Sequence, residues 1–180
     1  MSAKRPAFLI SANVLDWVAL IDRLEASDRD SLRAHFLALN EEDRRLRFGS
    51  VSDGNIAAYV DGIDFVSSYV YGVRGPGLNW LAIGHLSEGK GVAELGLSVL
   101  PQARGKGLGG AIFRYAVAQA SRRGATRLYM HCLTSNRAIL SIARSAGMSI
   151  GSSGGETDAY LVVPDRAEMI EALVGESATS

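Results

Sequence analysis

Seven consecutive residues, Arg104-Gly105-Lys106-Gly107-Leu108-Gly109-Gly110, combine four glycines with two cations. Glycines let successive backbone N–H groups converge on phosphate oxygens, and a helix opening behind them adds partial positive charge. The surrounding charge agrees with that chemistry. No acidic residue lies between Glu94 and Glu156, while Arg104, Lys106, Arg114, Arg122, Arg123, Arg127, Arg137 and Arg144 fall inside. The chain's formal net charge is zero, so this +8 stretch is balanced by −8 elsewhere and the asymmetry is local. A solvated basic face and a turn serving only packing are the plainer readings; a polyphosphate ligand explains both loop and charge.

Two other phosphate-binding patterns fail on named residues. A P-loop needs GxxxxGK[ST], yet Lys106 and Lys90 are followed by Gly107 and Gly91, so the magnesium-binding hydroxyl is missing. A dinucleotide fold wants its loop after the first strand and an acid about 20 residues later, but this loop follows four predicted strands and the next acid is Glu156. With 180 residues, 47% hydrophobic and 21% charged, the chain is predicted to be one globular domain over 1–180, with a 1–16 extension and a flexible 175–180 tail. Its one cysteine, Cys132, forms no internal disulfide, and His35, His85 and His131 are too dispersed for a zinc finger. The apolar run Ala7 to Ile10 is too short for a signal-peptide core, and no run is long enough to span a bilayer. A soluble cytoplasmic protein is expected, with no charge-driven pull toward nucleic acid or membrane.

The elements that must position the loop follow from hydrophobic spacing. Trp17 to Leu24 reads as a strand. Helices follow from Ser27-Asp28 through Leu39, over Glu41 to Phe48 behind Asn40, and from Ser52-Asp53 through Val60. Period-two runs at Phe65 to Arg74, Leu78 to Leu86 and Gly91 to Leu100 predict an antiparallel meander. Then come a helix over Gly107 to Arg123, a strand over Arg127 to Leu133 and a helix over Asn136 to Ala146. Strands at Met148 to Gly151 and Ala159 to Val163 and a helix after Pro164 complete the chain. The fold class is α/β with a mixed sheet, and Gly151 to Gly155 (GSSGG) reads as flexible.

The motif Arg104-x-x-Gly107-x-Gly109 resembles the acetyl-CoA motif (Arg/Gln)-x-x-Gly-x-(Gly/Ala) of GNAT N-acetyltransferases. Val92-Ala93-Glu94-Leu95 before it, Asn136-x-x-Ile139-x-x-Ile142-Ala143-x-x-x-Gly147-Met148 after it, and Phe36 to Phe48 are similar to a subgroup that includes bacterial Pat-type protein-lysine acetyltransferases. The resemblance runs from about Val18 to Val163. It implies a mixed, mostly antiparallel sheet of six to seven strands flanked by helices, with a splayed parallel pair forming the cofactor cleft.

It also implies an acetyl-CoA-dependent N-acetyltransferase that moves an acetyl group to a primary amine, of a protein lysine or a small molecule, by direct attack in a ternary complex. Coenzyme A pyrophosphate would lie on the amides of Arg104, Gly105, Lys106, Gly107, Leu108, Gly109 and Gly110. The pantetheine arm would pair with the backbone of Leu97, Ser98 and Val99, and Asn136 would contact its far end or simply cap a helix.

An alkyl ammonium near pKa 10.4 must lose a proton before attack. Glu94, the only carboxylate on the strand leading into the motif, is the candidate base, and a solvent-facing glutamate is its plain alternative. Partial burial beside the cofactor would raise its pKa toward the useful range. The resemblance assigns the thioester oxygen to the Leu97 N–H. Where many relatives carry a tyrosine acid for the thiolate, this chain reads Ile142-Ala143-Arg144; Ser135, His131 and Tyr160 are substitutes. His131 and Cys132 read more simply as filling and hydrogen bonding within the sheet.

The acceptor side of the fold would hold Asp28, Asp30, Glu41, Glu42 and Asp43, as an attraction for cationic amines or as charges favoured at helix N-termini. Trp17, Tyr59, Tyr69, Tyr71 and Trp80 line either that pocket or the core. With about 17 residues before the first strand, ligand control of the Pat kind is expected to need a separate chain. The second reading is a non-catalytic acetyl-CoA-binding or sensing module. Homo-oligomerisation stays open, and no metal site is expected.

Overall fold

Helix-forming and strand-forming stretches separate cleanly along the chain, and the computed structural model describes residues 20–77, 79–165 and 168. The first strand is β1 (Ile21–Arg23), which ends one residue before expected at Leu24, a core residue 1% exposed. Trp17 to Ala19, the 1–16 extension and the 175–180 tail lie outside the described residues. Helix α1 (Arg29–Leu37) buries Leu32, His35 and Phe36. Asn40 caps α2 (Glu41–Phe48) by accepting the Asp43 N–H at 2.8 Å, and Ser52 caps α3 (Asp53–Asp61).

The meander is β2 (Tyr69–Arg74), β3 (Trp80–Gly89) and β4 (Val92–Val99). Ser87 to Gly89, read from sequence as turn, extend β3, because the two residues Lys90 and Gly91 suffice to close the hairpin with Gly89 opposite Val92. Phe65 to Ser68 are not strand; the Asp64 side chain there accepts the Val66 N–H and the Ser67 hydroxyl. After β4 come a 3-10 turn (Pro101–Ala103), α4 (Leu108–Arg122), β5 (Arg127–Leu133) and α5 (Arg137–Ser145). A final hairpin joins β6 (Ser149–Ser153) and β7 (Glu156–Val162) through Gly154-Gly155. The GSSGG segment is thus paired strand and tight turn rather than flexible chain; its small residues hid a strand held by ladder bonds instead of propensity. Of the helix expected after Pro164, Asp165 and Glu168 exchange side-chain-to-backbone hydrogen bonds as in a capping box, and the rest lies outside the described residues.

One seven-stranded sheet results, in the order β1-β2-β3-β4-β5-β7-β6, antiparallel except for β4 with β5. Its two faces are covered unequally. Helix α4 buries Leu108, Ala111, Ile112, Phe113, Ala116, Val117 and Ala120, and Tyr71 of β2 donates to the Ile112 carbonyl. On the opposite face α1 meets β3 and β4 through His35, and Tyr59 of α3 meets His85 of β3. That same face is left open over β5 and β7, where Tyr129, His131, Asp158 and Tyr160 stand together. Among the described residues no helix is long and apolar enough to cross a membrane, and no cluster of three or more His, Cys, Asp or Glu can hold a metal.

Candidate active site

The parallel pairing of β4 and β5 is brief: Val92, Ala93 and Glu94 face Arg127, Leu128 and Tyr129, and beyond that the strands part. Which main-chain groups point into the gap follows from alternation. The Leu100 N–H bonds the Leu81 carbonyl next to β3, whereas the Gly91 carbonyl accepts from Thr126 on the β5 side. The β3–β4 register is unbroken between them. Odd-numbered residues of β4 therefore present N–H and C=O toward β5, which aims the main chain of Leu97 and Val99 into the splay. Ser98 is turned the other way, its main chain toward β3 and its hydroxyl 2.8 Å from His35 Nε2.

A cavity of about 550 Å³ opens from the splay. Of the residues expected at the site, Leu97, Ser98, Val99, Arg104, Gly105, Gly107, Leu108, Gly109, Gly110 and Asn136 line it; Lys106 and Glu94 do not. Gly105 and Gly107 sit at φ +74 and +81, a conformation that favours glycine and lets the loop's amides turn to one side. Gly107 is the N-cap of α4 and supplies no side-chain cap, and the first turn carries no acid. By contrast α2, α3 and α5 are each capped by an Asn or Ser side chain. The amides that α4 cannot satisfy internally are thus left for an external acceptor, and the donor set suits phosphate.

Side chains shape the rest of the cavity. Asn136 accepts the Ile139 N–H at 3.2 Å, so its oxygen serves the cap of α5 while the residue still faces the cavity. Arg104 donates to the Val99 carbonyl and pairs with Asp43 of α2 at 2.7 Å, tying the loop to that helix. The acids near the acceptor side are largely spent on arginines: Asp28 on Arg74, Asp30 on Arg33, Glu42 on Arg45, Asp43 on Arg104. They form no free acidic funnel. Glu94 is exposed on the open face, with Ser87 and Tyr129 as register partners. Trp80 and Tyr71 are core residues, and Trp17 lies outside the described residues.

Arg47 and His85, which sequence reasoning passed over as site residues, gather on the Glu94 side of β4 with Tyr59, one of the aromatics expected at the pocket or the core. Arg47 of α2 lines the cavity and lies so close to Gly96 that a Cβ there would stand 2.2 Å from Nη2. Its Nη2 donates to the Tyr59 hydroxyl at 2.8 Å, and that oxygen is 2.6 Å from His85 Nδ1. A lone glycine inside a strand signals close approach of another group, and Gly96 carried that signal. Burial and then the charge of Arg47 lower His85 to about 4. His35 is lowered to about 4 by burial first, with Arg47 adding to it. The Trp80 carbonyl, which can only accept, fixes the proton of neutral His35 on Nδ1, leaving Nε2 to accept from Ser98.

His131 is exposed and hydrogen-bonds Asp158 across the β5–β7 ladder, so it bonds within the sheet without being buried as filling. Cys132 is half-buried, its thiol pushed up by burial and by Asp158, which suits no nucleophile. No tyrosine, histidine, cysteine or carboxylate of α5 replaces the absent tyrosine: Ala138, Ile139 and Ile142 line the cavity there beside Arg137.

Residues 13–148 match the model of the acetyltransferase (GNAT) family. The GNAT domain of S. lividans PAT is similar in structure, with a TM-score of 0.68 at 18% identity over 79% of this chain and 89% of that one. Spermidine N-acetyltransferase from Vibrio cholerae, in complex with CoA and spermine, scores 0.64 at 15% identity over 83% and 96%. Ribosomal-protein-S18-alanine N-acetyltransferase from Escherichia coli scores 0.61 at 17% identity over 79% and 92%. No curated protein matches the sequence.

Proposed function

The chain belongs to the GNAT acetyltransferase family and is an acyltransferase that uses acetyl-CoA, and from that premise we propose that it acetylates a primary amine by direct attack in a ternary complex. The observation that carries this reading is the β4–β5 splay, with the Leu97 and Val99 main chain turned into a cavity that ends on the uncapped start of α4. The described elements act as one acetyltransferase domain, and a cytoplasmic location fits a chain without a membrane-crossing helix among its described residues.

Acetyl-CoA, when bound, supplies an activated acetyl thioester. The chain's own part divides by place. Amides of Arg104 to Gly110 and the charges of Arg104 and Lys106 hold the phosphates, and the edge of β4 holds the arm. The Leu97 N–H donates to the carbonyl under attack, where developing negative charge makes the bond strongest. Glu94 takes the proton from the incoming ammonium, directly or through one water. Asn136 contacts the arm with its free amide N–H groups while its oxygen caps α5. The departing thiolate needs no dedicated acid, because a thiolate is stable near neutral pH compared with an alkoxide.

The test is Glu94→Gln with acetyl-CoA and an amine panel. Turnover should fall about 100-fold or more while acetyl-CoA affinity stays within about twofold. Unchanged turnover would remove Glu94 as the base.

A further inference from the structure

Resting on that reading, we infer that Arg47 binds an anionic group of the acceptor, a carboxylate in the simplest case, placed within a few bonds of the amine. Arg33, Arg44, Arg45, Arg74, Arg104 and Arg123 each lie within 4 Å of an acidic side chain. Arg47 and Arg137 both line the cavity without such a partner among the described residues, and of the two Arg47 is the half-buried one. Its neighbours are the Tyr59 hydroxyl and the rings of Phe48 and Tyr59, 5.0 and 5.3 Å from Cζ, and its Nε is buried without a hydrogen-bond partner. A guanidinium stays charged at any working pH, and a half-buried one without a counterion is stabilised strongly by whatever anion arrives. The uncompensated charge is felt nearby, since it adds to burial in lowering both His35 and His85.

Position selects the acceptor as the source of that anion. Arg47 stands over Gly96, two residues from Glu94 on the same face of β4, or about 7 Å along the strand. The loop that holds phosphate begins beyond Val99, about 10 Å further along in the opposite sense. Glu42 and Asp43 line the same cavity but are committed to Arg45 and Arg104. The guanidinium is also held ready. Arginine only donates, so the Tyr59 oxygen, 2.6 Å from His85 Nδ1, accepts from Nη2 and fixes the orientation of the guanidinium, leaving Nη1 for the ligand.

The experiment compares matched acceptors under saturating acetyl-CoA: free amino acids against their amides and decarboxylated amines, and lysine peptides with and without an adjacent aspartate. The wild-type chain should favour the carboxylate-bearing member of a pair in kcat/KM by about 10-fold or more, and Arg47→Gln should collapse that ratio toward one through KM. Arg47→Lys should restore part of it, and its unfolding temperature serves as the check on folding. The free and peptide pairs show which source of carboxylate the site takes. A wild-type preference for the neutral members, or a fall in kcat of equal size for both members in Arg47→Gln, would overturn the inference; the latter would put Arg47 on the thioester oxygen or thiolate. Acetylation of no amine at all would overturn the proposed function itself.

Discussion

The two ends of the cleft are built from different material. At the end proposed to hold phosphate, Arg104 to Gly110, the groups offered are main-chain amides, set by two left-handed glycines and the uncapped start of α4. At the end proposed to take the acetyl group, Arg47 of α2 lines the cavity and is held by Tyr59 of α3 beside His85 of β3, while Glu94 of β4 stands exposed outside the lining. Main-chain sites survive almost any change of side chain, provided the glycines remain, and so serve the part of the ligand common to every turnover. Side-chain sites change with single substitutions, and so are where acceptor choice resides.

The largest effect should follow from Gly107→Leu, which forces a side chain onto a left-handed residue, φ +81, in the loop proposed to hold phosphate. Acetyl-CoA binding should be lost, read by calorimetry, while the unliganded fold remains; retained binding would erase the distinction between the ends. Next in size is Glu94→Gln, with turnover down about 100-fold at the other end and the phosphate end untouched.

A third test sharpens the comparison through pH. His35 and His85 are both lowered from 6.5 to about 4, chiefly by burial. The unfolded chain therefore binds protons that the native state refuses. Their stabilising effect is complete above about pH 6.5 and is lost as the pH falls through about 4, by about 3 kcal/mol for each imidazole. Denaturant unfolding across pH 4 to 7 should show the loss, and His85→Gln should remove about half of it; an unchanged slope would deny the buried neutral state of His85. The smallest effect is Asn136→Ala, where loss of the α5 cap should lower stability by about 1 kcal/mol, or about 2–4 °C.

The same division decides how much the sequence disclosed. The loop was legible because glycine spacing and an acid-free stretch are local, one-dimensional signals. Helices behind Asn40 and Ser52 were legible through their caps, and the hairpin turns at Lys90-Gly91 and Gly154-Gly155 were misplaced by a few residues because pairing partners, not composition, end a strand. Glu94 was singled out as the lone carboxylate of its strand, but its exposure outside the cavity lining, where partial burial was expected, depended on the splay and was not legible. Arg47 was not, since it shares its helix with Arg44 and Arg45. Only the fold shows that Arg44 serves the Leu37, Leu39 and Val51 carbonyls and Asp53, whereas Arg47 lies on Gly96. His35 and Ser98 are 63 residues apart and meet only because α1 crosses β4.

The central claim, that main-chain amides of the Arg104 to Gly110 loop hold acetyl-CoA, is tested most directly by thermal unfolding of the wild-type chain and Gly107→Leu. Acetyl-CoA at about 100 times its Kd adds about 2.7 kcal/mol to a native state that binds it. The account predicts a rise of about 5–10 °C for the wild-type chain, little rise with NAD or ATP, and none for the variant. No rise for the wild-type chain at millimolar acetyl-CoA, or an equal rise in Gly107→Leu, would contradict it.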